Sequence, residues 1–426
     1  MIKRSLTILF LVVTICFVGG LHGQNNAGSP YSRYGIGDIY NNNNNTSMPL
    51  GGTALAYFHP CVVNFQNPAS YTAIDTLSFV FEGGVSSKII TLKTQKLNQS
   101  SNFASLSNLL FGFPITRRWK SSIGLLPYSQ VGYKVVQTEY VTNVGLINKE
   151  FTGSGGINQV FWGNAFQITR DLSVGVNTAF LFGTLDKSRA LVFPDSAFIY
   201  NTQDLSTTSV ADFLFTFGLQ YHTKLSEKMS FSLGATYTPS RAINAWDEQL
   251  TQTYVAGSTG LIYVKDTINY QPEVKGKIDI PSAYGFGFMF MKRDRWTFGM
   301  DLKMQDWKNY KYFGKNDSLQ NSYQVSAGFQ LLPDISSINS YMKKVTYRIG
   351  ARYGKTYLQL RENQLDEVAI SAGFGFPLNK TRSMVNIGFE YGRRGTTNQN
   401  LIEENFFRVT LGVSVCDMWF YRRKFE

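Results

Sequence analysis

Few residues of this 426-residue chain belong to the types that carry catalysis or bind metals. Outside the N-terminal leader, the histidines are His59 and His222. His222 ends an alternating run, where it shares the polar phase with Thr216, Gly218 and Gln220. A serine–histidine lipase would need a serine and a polar orienting group within reach of this imidazole, and no motif singles out such a serine. No cluster has metal-ligand spacing and no glycine loop has phosphate-binding spacing, so we predict no enzyme, no metal and no cofactor.

Two cysteines, Cys61 and Cys416, lie outside the leader. Cys416 shares the inward phase of the last alternating run, and Cys61 lies in an N-terminal segment that lacks the alternation. An oxidising periplasm would allow a disulfide between them. Two unpaired cysteines are the alternative, because sequence spacing does not supply geometry.

Five charged residues fall on the polar phase of alternating runs, and we place them in an enclosed lumen: Asp301, Lys303, Arg348, Arg352 and Arg408. Such charges can orient a carboxylate ligand. The other interpretation is that they pair with one another or hold an internal segment in place.

The secondary structure that positions these residues follows from a two-residue period of apolar and polar side chains in the sequence. Val345, Tyr347 and Ile349 alternate with Thr346 and Arg348, and similar runs recur along most of the chain. Successive side chains of a strand point to opposite faces, so each run has one apolar face and one polar or glycine-rich face. A dozen such runs predict an all-β fold, a transmembrane antiparallel barrel that is apolar outside and polar inside.

The candidate strands number fifteen, and those at Ala104 and Thr251 have the weakest alternation. Bacterial barrels prefer even numbers, so we predict about fourteen strands. The candidates start near Leu77, Ala104, Ser121, Ile157, Leu172, Ala211, Met229, Thr251, Lys275, Arg295, Asn321, Val345, Glu367, Met384 and Phe406. Three long polar intervals, at 138–156, 186–210 and 309–322, are expected to be extracellular connections.

The N-terminal part predicts how such a chain reaches its membrane. Lys3 and Arg4 precede an apolar stretch that is too short to span a bilayer, which is typical of a secretory signal peptide. We therefore predict a signal peptide at 1–23, an N-terminal hatch with a polar arm at 24–76, and a barrel at 77–426. Residues 24–45 are expected to lie outside the packed part of the hatch. The predicted location is the cell outer membrane of a Gram-negative organism.

The charge balance excludes one class of partner. The chain carries 41 Lys and Arg against 29 Asp and Glu, a net charge of +12. The basic residues are scattered, so nucleic acid is not a predicted partner. Outer-membrane lipid and lipopolysaccharide phosphates fit this surplus, as does a generally solvated surface.

The tryptophans have two interpretations. They can form a head-group girdle, which we favour, or line a ligand groove. They are Trp119, Trp162, Trp246, Trp296, Trp307 and Trp419.

Three ordered stretches of the chain resemble the FadL-type outer-membrane hydrophobic-compound (long-chain fatty acid) transporter family, as a divergent branch. They are residues 51–56 followed by Asn67-Pro68-Ala69; residues 280–285 followed by Asp301 and Asp306-Trp307; and residues 348–353 with 371–375. The resemblance implies a fourteen-stranded barrel plugged by an N-terminal hatch of short helices. It also implies ligand passage from an external groove to an internal site, with lateral escape through a gap in the wall. The candidate hatch or gating residues are Gly51, Gly52, Asn67, Pro68 and Ala69.

Two functions remain open at this point. The first is passive uptake of hydrophobic small molecules such as fatty acids, with the hatch as gate. The alternative is a non-enzymatic accessory or structural barrel of an outer-membrane secretion or assembly complex, with outer-membrane protein partners. In that case the intervals 138–156 and 186–210 and an arm at 30–45 would be docking surfaces. Fold cannot choose between these functions.

Overall fold

The computed structural model describes residues 28–40, 43–195, 199–256, 261–378 and 381–418. The predicted signal peptide at 1–23 lies outside this part. Within it, no helix is long and apolar enough to cross a membrane.

A closed barrel of fourteen antiparallel strands forms the wall, which confirms the predicted fold class. The closing pair is β1 with β14, where Gly84 lies opposite Gly412 and Val80 opposite Cys416. The strands are β1 (Ser78–Lys93), β2 (Asn98–Pro114), β3 (Trp119–Gln130 continued by Tyr133–Val141), β4 (Gly145–Gln167), β5 (Leu172–Val192), β6 (Asn201–Lys224), β7 (Met229–Thr238 continued by Arg241–Ala256), β8 (Ile262–Ile280 continued by Ala283–Lys292), β9 (Trp296–Gln305), β10 (Ser322–Leu331), β11 (Thr346–Leu360), β12 (Asn363–Pro377), β13 (Met384–Arg394) and β14 (Glu403–Met418).

Two of the fifteen candidate strands are parts of one strand. Met229 and Thr251 lie on one strand, β7, which pauses at residues 239–240 and then continues. The interruption separates two alternating runs, and the sequence alone counts them as two strands. Ala104, the other weak candidate, lies within β2.

The loop predictions also need correction. Residues 138–156 are mostly strand, because β3 and β4 extend as a hairpin with Val141 opposite Gly145. Residues 186–210 are likewise mostly the paired ends of β5 and β6. Residues 309–322 are a connection, with two-residue strands at Lys311–Tyr312 and Lys315–Asn316.

The outward phase of the strands carries large apolar side chains that remain exposed. This is the surface expected of an outer-membrane barrel, because lipid contacts the alternate residues. Examples are Phe81, Val85, Ile123, Val160, Phe213, Leu233, Phe286, Val325, Ile349, Ile370, Phe389 and Leu411.

Short 3-10 helices provide the helical content of the N-terminal segment: Pro30–Arg33, Met48–Leu50 and Pro68–Ala73. Proline begins or nearly begins each one, where its fixed φ and missing N–H are tolerated. The side chain of Asn67 accepts from the amide of Ala69 at 3.1 Å and so caps the third helix. Gly51 and Gly52 end the second helix at φ +69° and +87°, a conformation that favours glycine.

Candidate functional site: the plugged lumen

Residues 43–76, which we call the lower plug, fill the half of the lumen nearer the Ser78 and Met418 ends of the wall. Helix Met48–Leu50 contacts β10 to β13, and helix Pro68–Ala73 contacts β3 to β6. Leu50, Ala56 and Tyr71 are all at most 2 % exposed. The hatch candidates Gly51, Gly52, Asn67, Pro68 and Ala69 are therefore gathered inside the barrel.

Wall glycines make room for the backbone of the lower plug. A Cβ placed on Gly175 would lie 2.5 Å from the carbonyl carbon of Pro68, and one on Gly328 would lie 2.6 Å from the oxygen of Leu50. Real side chains do not come this close, so only glycine fits at these positions. Other wall glycines that face the plug at clashing distance are Gly84, Gly218, Gly234, Gly350, Gly373 and Gly412.

Two of the lumen charges hold the lower plug. The carboxylate of Asp301 on β9 accepts from the amides of Ala54 at 2.7 Å and Leu55 at 2.9 Å. The ammonium of Lys303 donates to the side-chain oxygen of Gln66 at 2.6 Å and the carbonyl of Gly52 at 3.3 Å. Hydrogen bonds to charged groups are the stronger kind, so both residues tie the plug to β9.

The three lumen arginines have partners in the wall. Arg352 donates to Glu390 and, at 2.7 Å, to Glu367, and Arg408 lies 3.5 Å from Glu390. Arg348 donates to the side-chain oxygen of Asn386 at 2.8 Å. Because these guanidinium groups are already paired, their predicted role toward a carboxylate ligand stays a prediction.

A disulfide joins Cys61 in the lower plug to Cys416 on β14, across 355 positions of sequence. Of the two arrangements that the sequence leaves open, the structure has the bridge. The neighbouring amide of Val63 donates to the carboxylate of Glu82 on β1 at 2.8 Å. The side chain of Asn45 donates to the carbonyl of Gly83, also on β1, at 3.1 Å. The plug is thus attached to both strands that close the barrel.

Burial also sets the protonation of two plug side chains. It lowers the pKa of His59 to about 4, so the imidazole is neutral at neutral pH and accepts from the amide of Cys61 at 3.2 Å. Burial likewise raises the pKa of Tyr71 far above its usual value. The phenol therefore keeps its proton and donates to Asn177 on β5 at 2.9 Å.

Residues 28–40, which we call the upper plug, fill the opposite half of the lumen, and this contradicts the expected loose arm. Tyr31 is 3 % exposed and Ile36 is fully buried, in a core with Trp307, Tyr310 and Leu319. The polar composition around these two apolar residues concealed their packing in the sequence. The described residues of the arm at 30–45 therefore lie inside the lumen and do not form an outer docking surface.

A buried ion-pair network also anchors the upper plug. Arg394 on β13 lies 2.9 Å from Asp38 and 2.6 Å from Glu404 on β14, and its guanidinium donates to Ser29 at 2.8 Å. Burial raises the pKa of Tyr31 to about 12, and its hydroxyl donates to the carbonyl of Ile402. Sequence reasoning missed Arg394 and Glu404, because they pair only once β13 and β14 are adjacent.

Trp307 was also misassigned, since it is 1 % exposed and does not belong to a head-group girdle. Its ring stacks on Tyr357 at 4.5 Å, and its indole N–H donates to Gln305 at 2.9 Å. By contrast, Trp162 is 56 % exposed on the outer face. The predicted girdle therefore fits Trp162 and not Trp307.

A gap in the wall lies between β2 and β3. Leu109–Pro114 of β2 pairs with Lys120–Leu125 of β3, and beyond this stretch the two strands separate. The upper plug occupies the space, because Asp38 and Ile39 pair antiparallel with Gln130 and Ser129. The hydroxyl of Tyr40 donates to the side-chain oxygen of Gln130 at 2.7 Å.

A cavity of about 350 Å³ separates the upper plug from the lower one. Its lining combines apolar and charged side chains, among them Tyr40, Phe65, Leu126, Leu214, Lys303 and Arg394. It adjoins the gap between β2 and β3 through Ile39 and Tyr40.

In the structure a serine, Ser232, lies beside His222, for which the sequence had indicated no serine partner. The Nδ1 of His222 lies 2.8 Å from the hydroxyl of Ser232. Ser232 is fully buried, and the ring of Phe58 stacks on the imidazole at 4.2 Å. His222 and Ser232 lie opposite each other on the wall strands β6 and β7, and the plug contacts this pair through the Phe58 ring. No group of metal-ligating side chains occurs among the described residues.

Comparison with known proteins identifies the fold. A family model described as BamG matches residues 1–426. No curated protein matches the sequence. The structure is similar to the CymD monoaromatic hydrocarbon channel (TM-score 0.59, 12 % identity, 91 % of this chain and 100 % of that chain). It is also similar to the Ralstonia pickettii toluene transporter TbuX (TM-score 0.57, 11 % identity, 87 % of this chain and 97 % of that chain). A third similar structure is a Pseudomonas aeruginosa FadL homologue (TM-score 0.58, 13 % identity, 89 % of this chain and 98 % of that chain). Identities this low show fold alone, and the FadL-type architecture predicted from sequence is confirmed.

Proposed function

The chain belongs to the BamG family, and from the closed state of its lumen we propose that it is a non-enzymatic accessory barrel of an outer-membrane assembly or secretion complex. The observation that carries this proposal is the attachment of the lower plug to the wall. The disulfide between Cys61 and Cys416 is covalent, so the plug cannot leave the lumen as a unit while the bridge is intact.

The polar contacts of the two plugs support the same conclusion. Asp301, Lys303 and Arg394 each hold a plug segment through charged hydrogen bonds. A pore that opens in each transport cycle would have to break several such bonds, and each hydrogen bond to a charged group contributes about 1.5–3 kcal/mol. A permanently closed barrel that presents surfaces to partner proteins has no such requirement.

Purification from native membranes in mild detergent tests the accessory role. We expect other outer-membrane proteins to co-purify in stoichiometric amounts, measured by native mass spectrometry. A barrel that runs as a monomer with only lipid or detergent bound would contradict the proposal. As a control, another barrel of the same membrane, purified in the same detergent, should lack these proteins.

Passive uptake of a hydrophobic small molecule is the second candidate, and the cavity beside the β2–β3 gap favours it. The cavity of about 350 Å³ is large enough for one small ligand, and Asp38, Ile39 and Tyr40 of the described chain contact the β3 side of the gap next to it. The ligands to test at this site include fatty acids. A deletion strain that takes up radiolabelled fatty acids and monoaromatic compounds at the wild-type rate would remove this candidate.

We also infer that the surface binds anionic lipid. The net charge of +12 and the exposed apolar belt support contacts with phospholipid and lipopolysaccharide. Retention of lipopolysaccharide by the purified barrel, lost on raising the salt concentration, is the expected result. Retention that does not depend on salt would argue against an electrostatic contact.

A further inference from the structure

The half of β8 farther from the Ser78 and Met418 ends of the wall has one edge that the described part of the chain leaves open. Residues 262–277 pair with β7 along one side. On the other side, the described part of the chain pairs with residues 262–280 only at Ile278 and Asp279, opposite Tyr312 and Lys311, whereas residues 283–292 of β8 pair with β9. A row of backbone donors and acceptors is therefore exposed along this edge.

Both faces of this stretch are exposed as well, and they are rich in apolar side chains. Residues 262–273 are all exposed, so neither face packs on the barrel. The large apolar side chains, each at least 52 % exposed, are Ile262, Tyr263, Val264, Ile268 and Tyr270. An apolar edge strand of this kind is a template for pairing with another polypeptide.

Natural proteins usually protect free edges with charge or proline. Here Lys265 and Asp266 come before the centre of the strand and Pro272 comes after it, but residues 267–271 carry neither device. Among the described residues, two further free edges face the gap between β2 and β3, at residues 98–108 of β2 and at Tyr133–Val141 of β3. The β8 edge differs from both because both of its faces are exposed along residues 262–273.

The chain itself shows that the β8 edge accepts a strand. Lys311–Tyr312 adds to it for two residues, and the amide of Phe313 donates to the carbonyl of Lys277 at 2.9 Å. The chain then reverses through the hairpin to Lys315–Asn316 and leaves the edge. The pairing thus begins within this chain and stops where the exposed stretch begins.

A second copy of this chain does not fit the edge. Copies in one membrane point the same way, so their β8 strands cannot run antiparallel to each other, and isologous edge pairing needs that arrangement. We propose instead that residues 262–275 bind an extended β-strand of a different surface-exposed polypeptide in the same outer membrane. Main-chain hydrogen bonds would provide affinity and the apolar faces would provide specificity. This inference rests on the accessory role proposed above and names the surface that serves it.

Hydrogen–deuterium exchange on the complex purified from native membranes in mild detergent tests the proposal. We expect the amides of residues 263–271 to exchange more slowly in the complex than in the barrel stripped of its partners by a stronger detergent. Amides at the β1–β2 hairpin, at residues 93–98, should not change.

Proline substitutions separate backbone pairing from side-chain effects. Asn269 and Tyr270 lie in a regular part of the ladder, opposite Thr251 and Leu250. Successive N–H groups there point to opposite edges, so one of Asn269→Pro and Tyr270→Pro removes a donor from the free edge. That variant should retain about tenfold less partner, a change of about 1.4 kcal/mol. Asn269→Ala and Tyr270→Ala should retain most of the partner, and Val136→Pro on the β3 edge should retain it as wild type does.

The outcomes distinguish this inference from the accessory role. If partners co-purify but the amides of 263–271 exchange as fast as in the stripped barrel, the edge proposal is wrong and the accessory role stands. If both proline variants keep the partner while the barrel remains folded, the edge proposal is also wrong. If no protein co-purifies with the wild type, both proposals fail.

Discussion

Substitution of Gly175 by alanine is the sharpest test of the lower plug. The added Cβ would lie 2.5 Å from the carbonyl carbon of Pro68 and 2.6 Å from the nitrogen of Ala69. Both atoms are backbone, so the helix Pro68–Ala73 must move by roughly 1 Å to restore an ordinary contact of about 3.5 Å. The substitution displaces the plug, whereas β5 keeps its backbone hydrogen bonds with β4 and β6.

Overpacking of this kind costs about 1–3 kcal/mol. Since 1.4 kcal/mol is a tenfold change, the fraction of molecules with the helix undocked should rise about 5- to 150-fold. The assay is amide exchange at Ser70 and Ile74, whose N–H groups donate to Asn67 and Tyr71 within the helix. Entry of a small apolar dye into cells should rise in parallel if the plug seals the lumen.

Gly83→Ala is the matched control, because its Cβ would meet nothing nearer than the Phe81 ring at 3.7 Å. A heat-dependent gel shift must show that both variants still form barrels. Gly328→Ala, whose Cβ would lie 2.6 Å from the oxygen of Leu50, provides a second probe if Gly175→Ala does not assemble. Equal exchange in Gly175→Ala and Gly83→Ala would refute the argument that the glycine is there to admit the plug.

Three further results are expected. Cys61→Ser should lower the free energy of unfolding by about 2–5 kcal/mol, which is measured as a lower urea midpoint of the heat-shifted gel band. Reductant should lower the midpoint of wild type to the same value. An unchanged midpoint in the variant would contradict a stabilising disulfide. Arg352→Met should lower that free energy by about 3 kcal/mol, because Glu367 loses its ion-pair partner and the buried Glu390 keeps only Arg408, at 3.5 Å. Glu390→Gln in the same chain should recover part of the loss, and no recovery would argue against the ion pair. The pKa of His59 is about 4 in the fold against an ordinary 6.5, so its contribution to stability is present above pH 6.5 and is lost as pH falls toward 4. In His59→Gln, the urea midpoint should therefore change less with pH between 6.5 and 4 than it does in wild type. An unchanged pH dependence would show that His59 is not the group that causes it.

The amino-acid sequence by itself determined the barrel and its approximate size. Alternation of apolar and polar residues is a local property, and it sets which face of each strand meets lipid wherever that strand lies in the wall. The proline and asparagine at Asn67-Pro68 and the paired glycines at Gly51-Gly52 likewise predicted short turns before the first strand. These features need no knowledge of distant neighbours.

Only the tertiary structure decided what fills the barrel. Tyr31 contacts Ile402 and Cys61 bonds to Cys416, and such partners meet only when the ends of the chain meet at the closing seam. The sequence around Tyr31 and Ile36 is polar and glycine-rich, so the burial of these two side chains had no local signal. The free edge of β8 is likewise a consequence of where its neighbours end. Contacts between residues hundreds of positions apart depend on strand order and register, and a single sequence records neither.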